Sequence, residues 1–431
     1  MKGGGWLDSR FPAGAALIRH LAAYRGSGKP GCVSGPLLLL VLLIQLASGL
    51  FLAMHYKPDA SLNAAALPVA FASVETLMRE VPGGALLRYM HSTGASLFFA
   101  LIYLHLFRGL LHGSYRAPRE LLWLSGWLLF LTLIAESFFG YLLPWGQLSY
   151  WGAQVVTGLF SAIPLVGSGL TQWVRGAAQV GDATLGRFFA LHVIALPLVL
   201  IVLSFLHVWI LHSLRAAEPD GADACGQSQV SHPPRVLRDL FAASLLLLAF
   251  AAIVLLAPEG GGHLLAADNF APADPLHTPP ELRPMWYFAP FYSMLRAVTP
   301  GFILVLKALV SFFALAVFVR AGARRRMLTA LVWGALFAAL CLLDARFWGV
   351  AVMATSVLAI AALPWLDRSP ARTRRGRGGR IALAVLALSY LGLGWLGGRP
   401  VGAATQILSQ VFTALILAFF ALLPVCTGAR R

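Results

Sequence analysis

Two pairs of histidines lie within long apolar stretches of the sequence. His91 and His105 have an i, i+14 spacing in one stretch, and His192 and His207 have an i, i+15 spacing in another. At 100° and about 1.5 Å per residue, either spacing returns to nearly the same helix face after roughly 21 Å. Two such helices side by side can hold two flat metal cofactors, each between two imidazoles, as in bis-histidine haem b. The expected ligand pairs are His91 with His192 and His105 with His207.

Glycines in two further apolar stretches repeat the i, i+14 spacing. A helix face without Cβ atoms admits a flat ring, although close helix packing also explains single glycines in membrane helices. A hydrogen bond to a neighbouring polar group is likewise the ordinary role of a single intramembrane histidine. Histidines and glycines in matching register favour the cofactor. The glycines are Gly35 and Gly49 in one stretch, and Gly126 and Gly140 in the other.

Two arginines lie three positions from histidines of this set. Arg88 precedes His91, and Arg108 follows His105. A guanidinium group can donate two parallel hydrogen bonds to a carboxylate such as a haem propionate. Anchoring of a helix end at the membrane interface explains an arginine equally well. The sequence leaves both roles open.

The composition is that of a membrane protein. Of the 431 residues, 59% are hydrophobic and only 12% are charged, far from the balance of soluble domains. Apolar segments that can cross a hydrocarbon layer, which takes about 20 helical residues, recur along the chain. We predict an all-α, polytopic transmembrane helix bundle of about ten spans, with a dihaem four-helix core in its N-terminal half. The predicted spans are 36–55, 86–107, 121–142, 188–211, 238–257, 301–319, 328–343, 347–365, 381–397 and 405–425.

The net charge of +16 is distributed unevenly along the chain. If the N-terminus is cytoplasmic, 23 of the 33 Lys and Arg residues fall in cytoplasmic segments, which is the asymmetry of the positive-inside rule. Both termini are therefore placed in the cytoplasm. A nucleic-acid surface is not expected, because it would need clustered base-stacking aromatics in a soluble segment. The four cysteines form no CxxC or CxxCH pattern, so zinc binding and covalent haem attachment are not indicated.

Four motifs resemble those of cytochrome b. They are RYMHSTGAS (88–96), GYLLPWGQLSYWGA (140–153), DARFWGV (344–350) and PWLDRSP (364–370). Over nearly its whole length the chain resembles the cytochrome b subunit of the proteobacterial type of ubiquinol:cytochrome c reductase, or respiratory complex III. The resemblance implies a low-potential outer haem at His91 and His192, and a high-potential inner haem at His105 and His207.

The resemblance also implies a bifurcated reaction of a multisubunit enzyme. Quinol is oxidised near the outer face, and one electron crosses through two b haems to a quinone-reduction site near the cytoplasm, which contributes to the proton gradient. The implied partners are a Rieske-type iron–sulfur subunit, a c-type cytochrome, membrane lipid and a second copy of the complex. The implied location is the bacterial inner membrane. Residues 1–215 are expected to form the dihaem domain and residues 216–431 the quinol-site domain.

Two quinone sites follow from the same resemblance. Reduction of a quinone needs hydrogen-bonding and protonating groups at its carbonyls, which a histidine and a carboxylate supply. A charge at a helix N-terminus is the ordinary alternative for the aspartate. The matching residues are His212 and Asp239 for the inner site, and Tyr141, Trp286 and Tyr287 for the outer site.

The outer site departs from the family motif at Met285. The family has a glutamate there that accepts a proton from quinol, and methionine cannot accept one. A carboxyl group inside a membrane span is costly to bury in its charged form and is a functional candidate by default. Glu136 is therefore the preferred replacement, the alternative being a buried neutral acid bonded to Ser137 or to a carbonyl. Glu281, in a loop, ranks second.

Two further departures concern spacing. The i, i+15 spacing of His192 and His207 occurs in only part of the family, and the two spans at about 301–343 are additional to the plain family pattern. Two other functions fit part of the sequence. A passive dihaem anchor of a dehydrogenase needs the histidines but not the PMWY segment (284–287), and a secondary transporter accommodates ten spans and Glu136 but binds no haem.

Overall fold

Helices form almost all of the described structure. The computed structural model describes residues 33–217, 232–280, 282–320, 323–369 and 376–428, and no β-strand occurs in these ranges. The predicted all-α fold is confirmed. In chain order the helices are α1 (Ser34–Ala53), α2 (Val69–Arg79), α3 (Gly84–His112), α4 (Glu120–Leu142), α5 (Gln147–Gly158), α6 (Gly167–Arg175), α7 (Asp182–Ala190), α8 (Leu196–Ala217), α9 (His232–Leu256), α10 (Ala289–Ala297), α11 (Pro300–Arg320), α12 (Ala323–Leu342), α13 (Ala345–Leu366), α14 (Arg377–Gly397) and α15 (Ala403–Gly428).

Every predicted span forms a helix, and the fold is that of a multi-pass membrane protein. Among the described residues, eight helical segments are long and apolar enough to cross a membrane, and a ninth results if α10 and α11, bent by 87°, count as one span. In α12 the apolar section is shorter, Ala330–Leu342, because the arginines at 324–326 occupy the start of this helix. The eight segments are α1, α3, α4, Asp182–Leu214, Val236–Leu256, α13, α14 and Ala403–Thr427.

Four helices form the N-terminal core. The histidine-bearing α3 packs along α1, and α8 packs along α4. Gly83 precedes α3 and Gly113 follows it, both with positive φ, and a left-handed glycine such as Gly113 commonly ends a helix at its C-terminus. His91 and His105 therefore share one uninterrupted helix of 29 residues.

Large apolar side chains cover the outside of the bundle. Leu43, Leu50, Phe241 and Leu248 are each at least 63% exposed. In water, a continuous surface of this kind leads to association, whereas lipid tails are as apolar as leucine. The exposed leucines thus fit a surface that faces hydrocarbon.

The short helix α10 organises the C-terminal half. It packs against α13, α14 and α15, and Ser293 donates a hydrogen bond to the carbonyl of Leu393 (2.8 Å). The segment just before α10 reaches back to the N-terminal core, where the Tyr103 hydroxyl donates to the carbonyl of Tyr287 (2.6 Å). Packing of α10 thereby positions the PMWY segment beside α3.

A buried ion pair joins the two halves of the chain. Asp367 lies just after α13, and Tyr115 and Arg116 lie in the loop between α3 and α4. The Asp367 carboxylate accepts hydrogen bonds from the Tyr115 hydroxyl (2.5 Å) and from Arg116 Nη2 (2.9 Å). The side chains of Arg116 and Asp367 are only 6% and 0% exposed. Burial alone raises the pKa of Asp367, but hydrogen bonds from Tyr115, Ser369 and Arg116 outweigh it and lower the pKa to about 2.

We expect Asp367→Ala to destabilise the protein strongly, because it leaves the buried Arg116 charge without its carboxylate. Loss of one partner of a buried pair costs about 3–5 kcal/mol. The matched control is Asp344→Ala, which removes an exposed cap on the Phe347 N–H (2.9 Å) and costs about 1 kcal/mol. Thermal unfolding of the full-length protein in detergent measures both losses, and equal losses would contradict the role of the ion pair.

The same pair gives this destabilisation a pH dependence. A carboxyl group with a lowered folded pKa contributes stability above its unfolded pKa, which is about 4, and loses that contribution as the pH falls through the folded value of about 2. The difference in stability between the wild-type protein and Asp367→Ala should therefore be constant above pH ~5 and shrink in acid.

Candidate cofactor site

His91 and His192 face each other across the core. Their ring centres are 6.0 Å apart and their planes are nearly perpendicular, at 89°. A metal about 2 Å from one nitrogen of each ring separates the ring centres by roughly 6 Å. The first histidine pair, His91 and His192, is therefore spaced for one metal between two imidazoles.

His105 and His207 form the second histidine pair. They lie on α3 and α8, respectively. The structure thus brings His91 and His192 face to face and places the second predicted pair on the same two helical segments that carry the first. Among the described residues, no cluster of three or more metal-ligating side chains occurs, so two-ligand sites are the arrangement that the four histidines offer.

A single turn of π-helix explains the unequal intervals between the histidines. Leu191–Ala195, which contains His192, is a π-turn between α7 and α8. A π-turn holds one residue more than an α-turn, so the i, i+15 spacing of His192 and His207 covers the rotation of an i, i+14 spacing in a regular helix. The extra residue of the longer interval is thereby accommodated in one turn of the helix.

Serine hydroxyls set which ring nitrogen can bind a metal. Ser48 donates its proton to the carbonyl of Ile44 (2.7 Å), so the 3.0 Å contact between Ser48 Oγ and His91 Nδ1 needs the proton on Nδ1. A neutral imidazole protonated on Nδ1 has its lone pair on Nε2. His91 is therefore prepared as an Nε2 ligand.

The second pair is held in the same way. Ser125 donates to the carbonyl of Leu122 (2.9 Å), and its oxygen lies 2.8 Å from His207 Nδ1. Ser34 Oγ lies 2.8 Å from His105 Nδ1. Sequence reasoning missed these serines, although a signal was present, since each directly precedes a glycine of the i, i+14 pattern.

The predicted glycines make room mainly for the histidine rings. A Cβ built on Gly49 would lie 3.1 Å from His91 Cε1, one on Gly126 would lie 3.1 Å from His207 Cε1, and one on Gly140 would overlap the ring of His192. A Cβ on Gly35 would meet no atom within 4 Å. Three of the four glycines thus let a ligand ring approach the neighbouring helix.

Two oxygens of Glu136 lie close to the fourth histidine, and the backbone carbonyl is the one that accepts a hydrogen bond. His192 Nδ1 lies 2.9 Å from the Glu136 carbonyl and 3.1 Å from its carboxyl Oε1. The other carboxyl oxygen, Oε2, is buried and has no hydrogen-bond partner among the described residues. The side chain therefore contacts a candidate ligand with one oxygen and leaves the other available.

A cavity of about 490 Å³ adjoins the first histidine pair, within the range of small-molecule and cofactor sites. Arg88 lines it, and its buried Nη1 has no hydrogen-bond partner in the part of the chain that the structure describes, while the guanidinium carbon lies 5.1 Å from the centre of the Phe270 ring. Such a donor suits an anionic group, for example a propionate. Histidines with Nε2 available, glycine clearance and this buried donor together fit a haem.

Predicted residues of the outer quinol site line the same cavity. Tyr141, Met285 and Tyr287 are among its walls. The Tyr287 ring stacks on Phe99, with 4.1 Å between centres, and Trp286 Nε1 donates a hydrogen bond to Ser96 Oγ (3.3 Å). Glu281 lies outside the described residues.

The residues predicted for the inner quinone site lie on α8 and α9. His212 is five positions after His207 on α8. Asp239 is on α9, where Arg238 Nη2 donates to its carboxylate (2.8 Å). Arg108 is on α3, three positions after His105. A shared site for these side chains stays a prediction.

The fold is that of a multi-pass membrane protein whose paired histidines fit haem, and comparisons with known proteins identify the family. Residues 31–215 match the family model "Cytochrome b/b6/petB", and residues 272–417 match "Cytochrome b(C-terminal)/b6/petD". Cytochrome b of Allochromatium vinosum is 42% identical over 97% of this chain and 94% of that protein, and cytochrome b of Cereibacter sphaeroides is 39% identical over 98% and 89%. The chain belongs to the cytochrome b family, which confirms the predicted resemblance and implies haem b.

A solved structure is similar over the same extent. A chain of the structure described as "Hyperthermophilic respiratory Complex III" superposes with a TM-score of 0.77 at 29% identity, and the match covers 98% of each chain. The similarity extends across both halves of the bundle, so the predicted fold class is confirmed as a cytochrome b fold.

We expect Gly140→Ala to remove the haem at the first pair, because the added methyl group occupies the position of the His192 ring. The haem at the second pair should remain. Gly186→Ala is the control, since a Cβ there meets no atom within 4 Å. Haem extraction and reduced-minus-oxidised spectra of the purified variants measure the loss, and full haem content in Gly140→Ala would contradict it.

Ser125→Ala is expected to weaken haem binding at the second pair, since it removes the acceptor that fixes the His207 tautomer. Loss of such a partner typically lowers affinity about 10–100-fold. The control on α8 is Ser213→Ala, whose hydroxyl donates to the Trp209 carbonyl (3.0 Å). Haem retention during stepwise dilution in detergent gives the comparison, and equal retention in the two variants would speak against the role of Ser125.

Proposed function

We propose that this chain is the cytochrome b subunit of a quinol:cytochrome c oxidoreductase of the complex III type, with two bis-histidine b haems, in a bacterial inner membrane. The observation that carries the proposal is the arrangement of two histidine pairs, with Nδ1 bonded to the neighbouring helices, beside a cavity lined by residues of the quinol motif. A passive dihaem anchor would need the histidine pairs but not a cavity lined by residues of the quinol motif.

The histidines bind the cofactors in this proposal. His91 with His192 holds the outer haem, and His105 with His207 holds the inner one. Arg88 and Arg108 pair with propionates, which for Arg88 is supported by a buried Nη1 that no described residue satisfies. When bound, the haems supply one-electron transfer between the two sides of the membrane.

The part of the cavity lined by Tyr141, Met285 and Tyr287, next to the haem that the first pair would hold, is the proposed site of quinol oxidation. Its largely apolar walls bind and shield the quinol ring, with Tyr141 and Tyr287 as polar members. Trp286 packs against the Tyr287 ring, with 5.6 Å between centres. Met285 also lines the cavity, so the position that carries an acid in the family motif has no proton acceptor here. Glu136 lines the same cavity, and its carboxyl Oε2 is the proposed acceptor for a quinol proton.

The proposed quinone-reduction site lies near the end of α8 and the start of α9. There His212 and Asp239 supply the hydrogen-bonding and protonating groups that a reduced quinone needs. We also propose the division into a dihaem domain, 1–215, and a quinol-site domain, 216–431, and cytoplasmic placement of both termini.

The partners are proposed from the nature of the reaction. A bifurcated reaction needs an acceptor for the electron that does not enter the haems, and a Rieske-type iron–sulfur subunit with a c-type cytochrome provides it. A homodimer of the complex embedded in lipid completes the proposal. The solved structure with a similar fold is that of a respiratory complex III, which supports this assembly.

We expect Glu136→Gln to lower quinol:cytochrome c reductase turnover of the intact complex by about 10²–10⁴-fold, the usual contribution of a general base, while haem is retained. Glu120→Gln, at the start of the same helix and about 24 Å away, is the control. Restoration of turnover in Glu136→Gln/Met285→Glu would show that an acid at either wall of the cavity suffices.

Two outcomes would overturn different parts of this proposal. A wild-type complex that binds two b haems but does not oxidise quinol would refute the enzymatic function. Unchanged turnover in Glu136→Gln would refute only the proton-accepting role of this residue.

A further inference from the structure

The two additional helices, α11 and α12, form a hairpin that is attached to the bundle mainly at one end. There Leu340 of α12 shares a buried cluster with Trp348 of α13. Between 311 and 339 no described residue is buried, and Leu315 and Leu331 are 62% and 63% exposed. Beyond its attached end, the hairpin therefore presents both helices to the surrounding hydrocarbon.

A groove of about 370 Å³ runs between the two helices. Its walls are largely apolar and include Leu315 and Phe318 of α11, and Trp333 and Phe337 of α12. Gly334 also lines the groove, and a Cβ built on it would meet no atom within 4 Å. The missing side chain at Gly334 thus leaves space that neither helix fills.

A cationic group lies at one end of the groove. The guanidinium carbon of Arg326 is 5.6 Å from the centre of the Phe318 ring, within the range of a cation–π contact. Arg326 is the last of three consecutive arginines at the start of α12. The proposed topology puts this end on the cytoplasmic side, at the level of the lipid headgroups. Arginine suits a phosphate group there, through its charge and its paired N–H donors.

The dimensions of the groove match one lipid chain in one leaflet. Arg326 and Phe337 are 11 residues apart, or about 16 Å along a helix, and half of a hydrocarbon core of about 30 Å is about 15 Å. The lining residues of α11 extend over about 12 Å. A helix of that length and about 10 Å in diameter occupies roughly 900 Å³, so the groove matches an extended hydrocarbon chain better than a helix of a partner subunit.

We propose that the groove between α11 and α12 binds one phospholipid with an anionic headgroup. Its phosphate lies at Arg326, and one acyl chain lies between Phe318 and Phe337, in the space that Gly334 leaves. The lipid fills the gap between the two helices and ties the free end of the hairpin to the membrane. The inference goes beyond the proposed function and does not depend on it, because no residue of the cofactor or quinone sites is involved.

Native mass spectrometry of the intact, delipidated complex tests the inference. The complex is titrated in detergent with phosphatidylglycerol, or with phosphatidylcholine of the same acyl chains as the neutral comparison. The wild-type protein should bind one more phosphatidylglycerol than phosphatidylcholine per copy of this chain. Gly334→Leu should lose that one lipid, because leucine fills the groove without a clash of its Cβ. Leu388→Phe, at a 62% exposed position on α14, should retain it.

Arg326→Gln tests the headgroup contact separately. It should weaken phosphatidylglycerol binding about fivefold, the usual contribution of one cation beside an anionic lipid surface, and leave phosphatidylcholine binding unchanged. The matched control is Arg380→Gln, which removes an exposed arginine near the start of α14 and should have no such effect.

Three outcomes would overturn the inference. One is an equal affinity of the wild-type complex for the two lipids, and another is equal weakening by Arg326→Gln and Arg380→Gln. The third is loss of a partner subunit from the mass spectrum of Gly334→Leu with lipid binding unchanged, which would assign the groove to a protein helix. If Gly334→Leu does not assemble, the two arginine variants decide.

Discussion

The hydrogen bond at Nδ1 of each core histidine is the interaction on which the cofactor site depends. A neutral imidazole has one N–H and one lone pair, and in an apolar bundle both need a defined partner. Where Nδ1 is left without an acceptor, the ring can rotate or exchange tautomer, and a nitrogen that bears a proton cannot bind a metal. Ser48 and Ser125 prevent this because their own protons go to helix carbonyls. The ligands are thus oriented by the protein.

This requirement also fixes how closely the helices pack. A ring that must reach an acceptor on the next helix needs space at that helix's surface, and a glycine provides it. In the dipeptides Ser48–Gly49 and Ser125–Gly126 the hydroxyl supplies the acceptor and the glycine supplies the clearance. The π-turn at Leu191–Ala195 takes up one extra residue. The i, i+15 spacing of His192 and His207 therefore matches the i, i+14 spacing of the two histidines on α3.

Periodicity alone predicted the helices, the histidine pairs and the glycines, because these depend on spacing along one chain segment. The serine acceptors and the π-turn were missed, since they depend on how two helices lie against each other and on local backbone geometry. The ion pair between Arg116 and Asp367 was missed for the same reason, because its partners are far apart in the sequence and meet only when the two halves pack. Motif resemblance identified the segment around Met285, but only packing of α10 places it beside α3.

The two departures around the first pair are connected in space. The chain has methionine at position 285, where the family motif has an acid, and has an acid at position 136 inside a span. Both residues line one cavity, so the chain has not lost an acidic group at this site but carries it on another wall. That wall is α4, and a carboxyl group there contacts a histidine ligand as well as the cavity. A single side chain, Glu136, therefore lies against a candidate haem ligand and against the cavity that Met285 also lines.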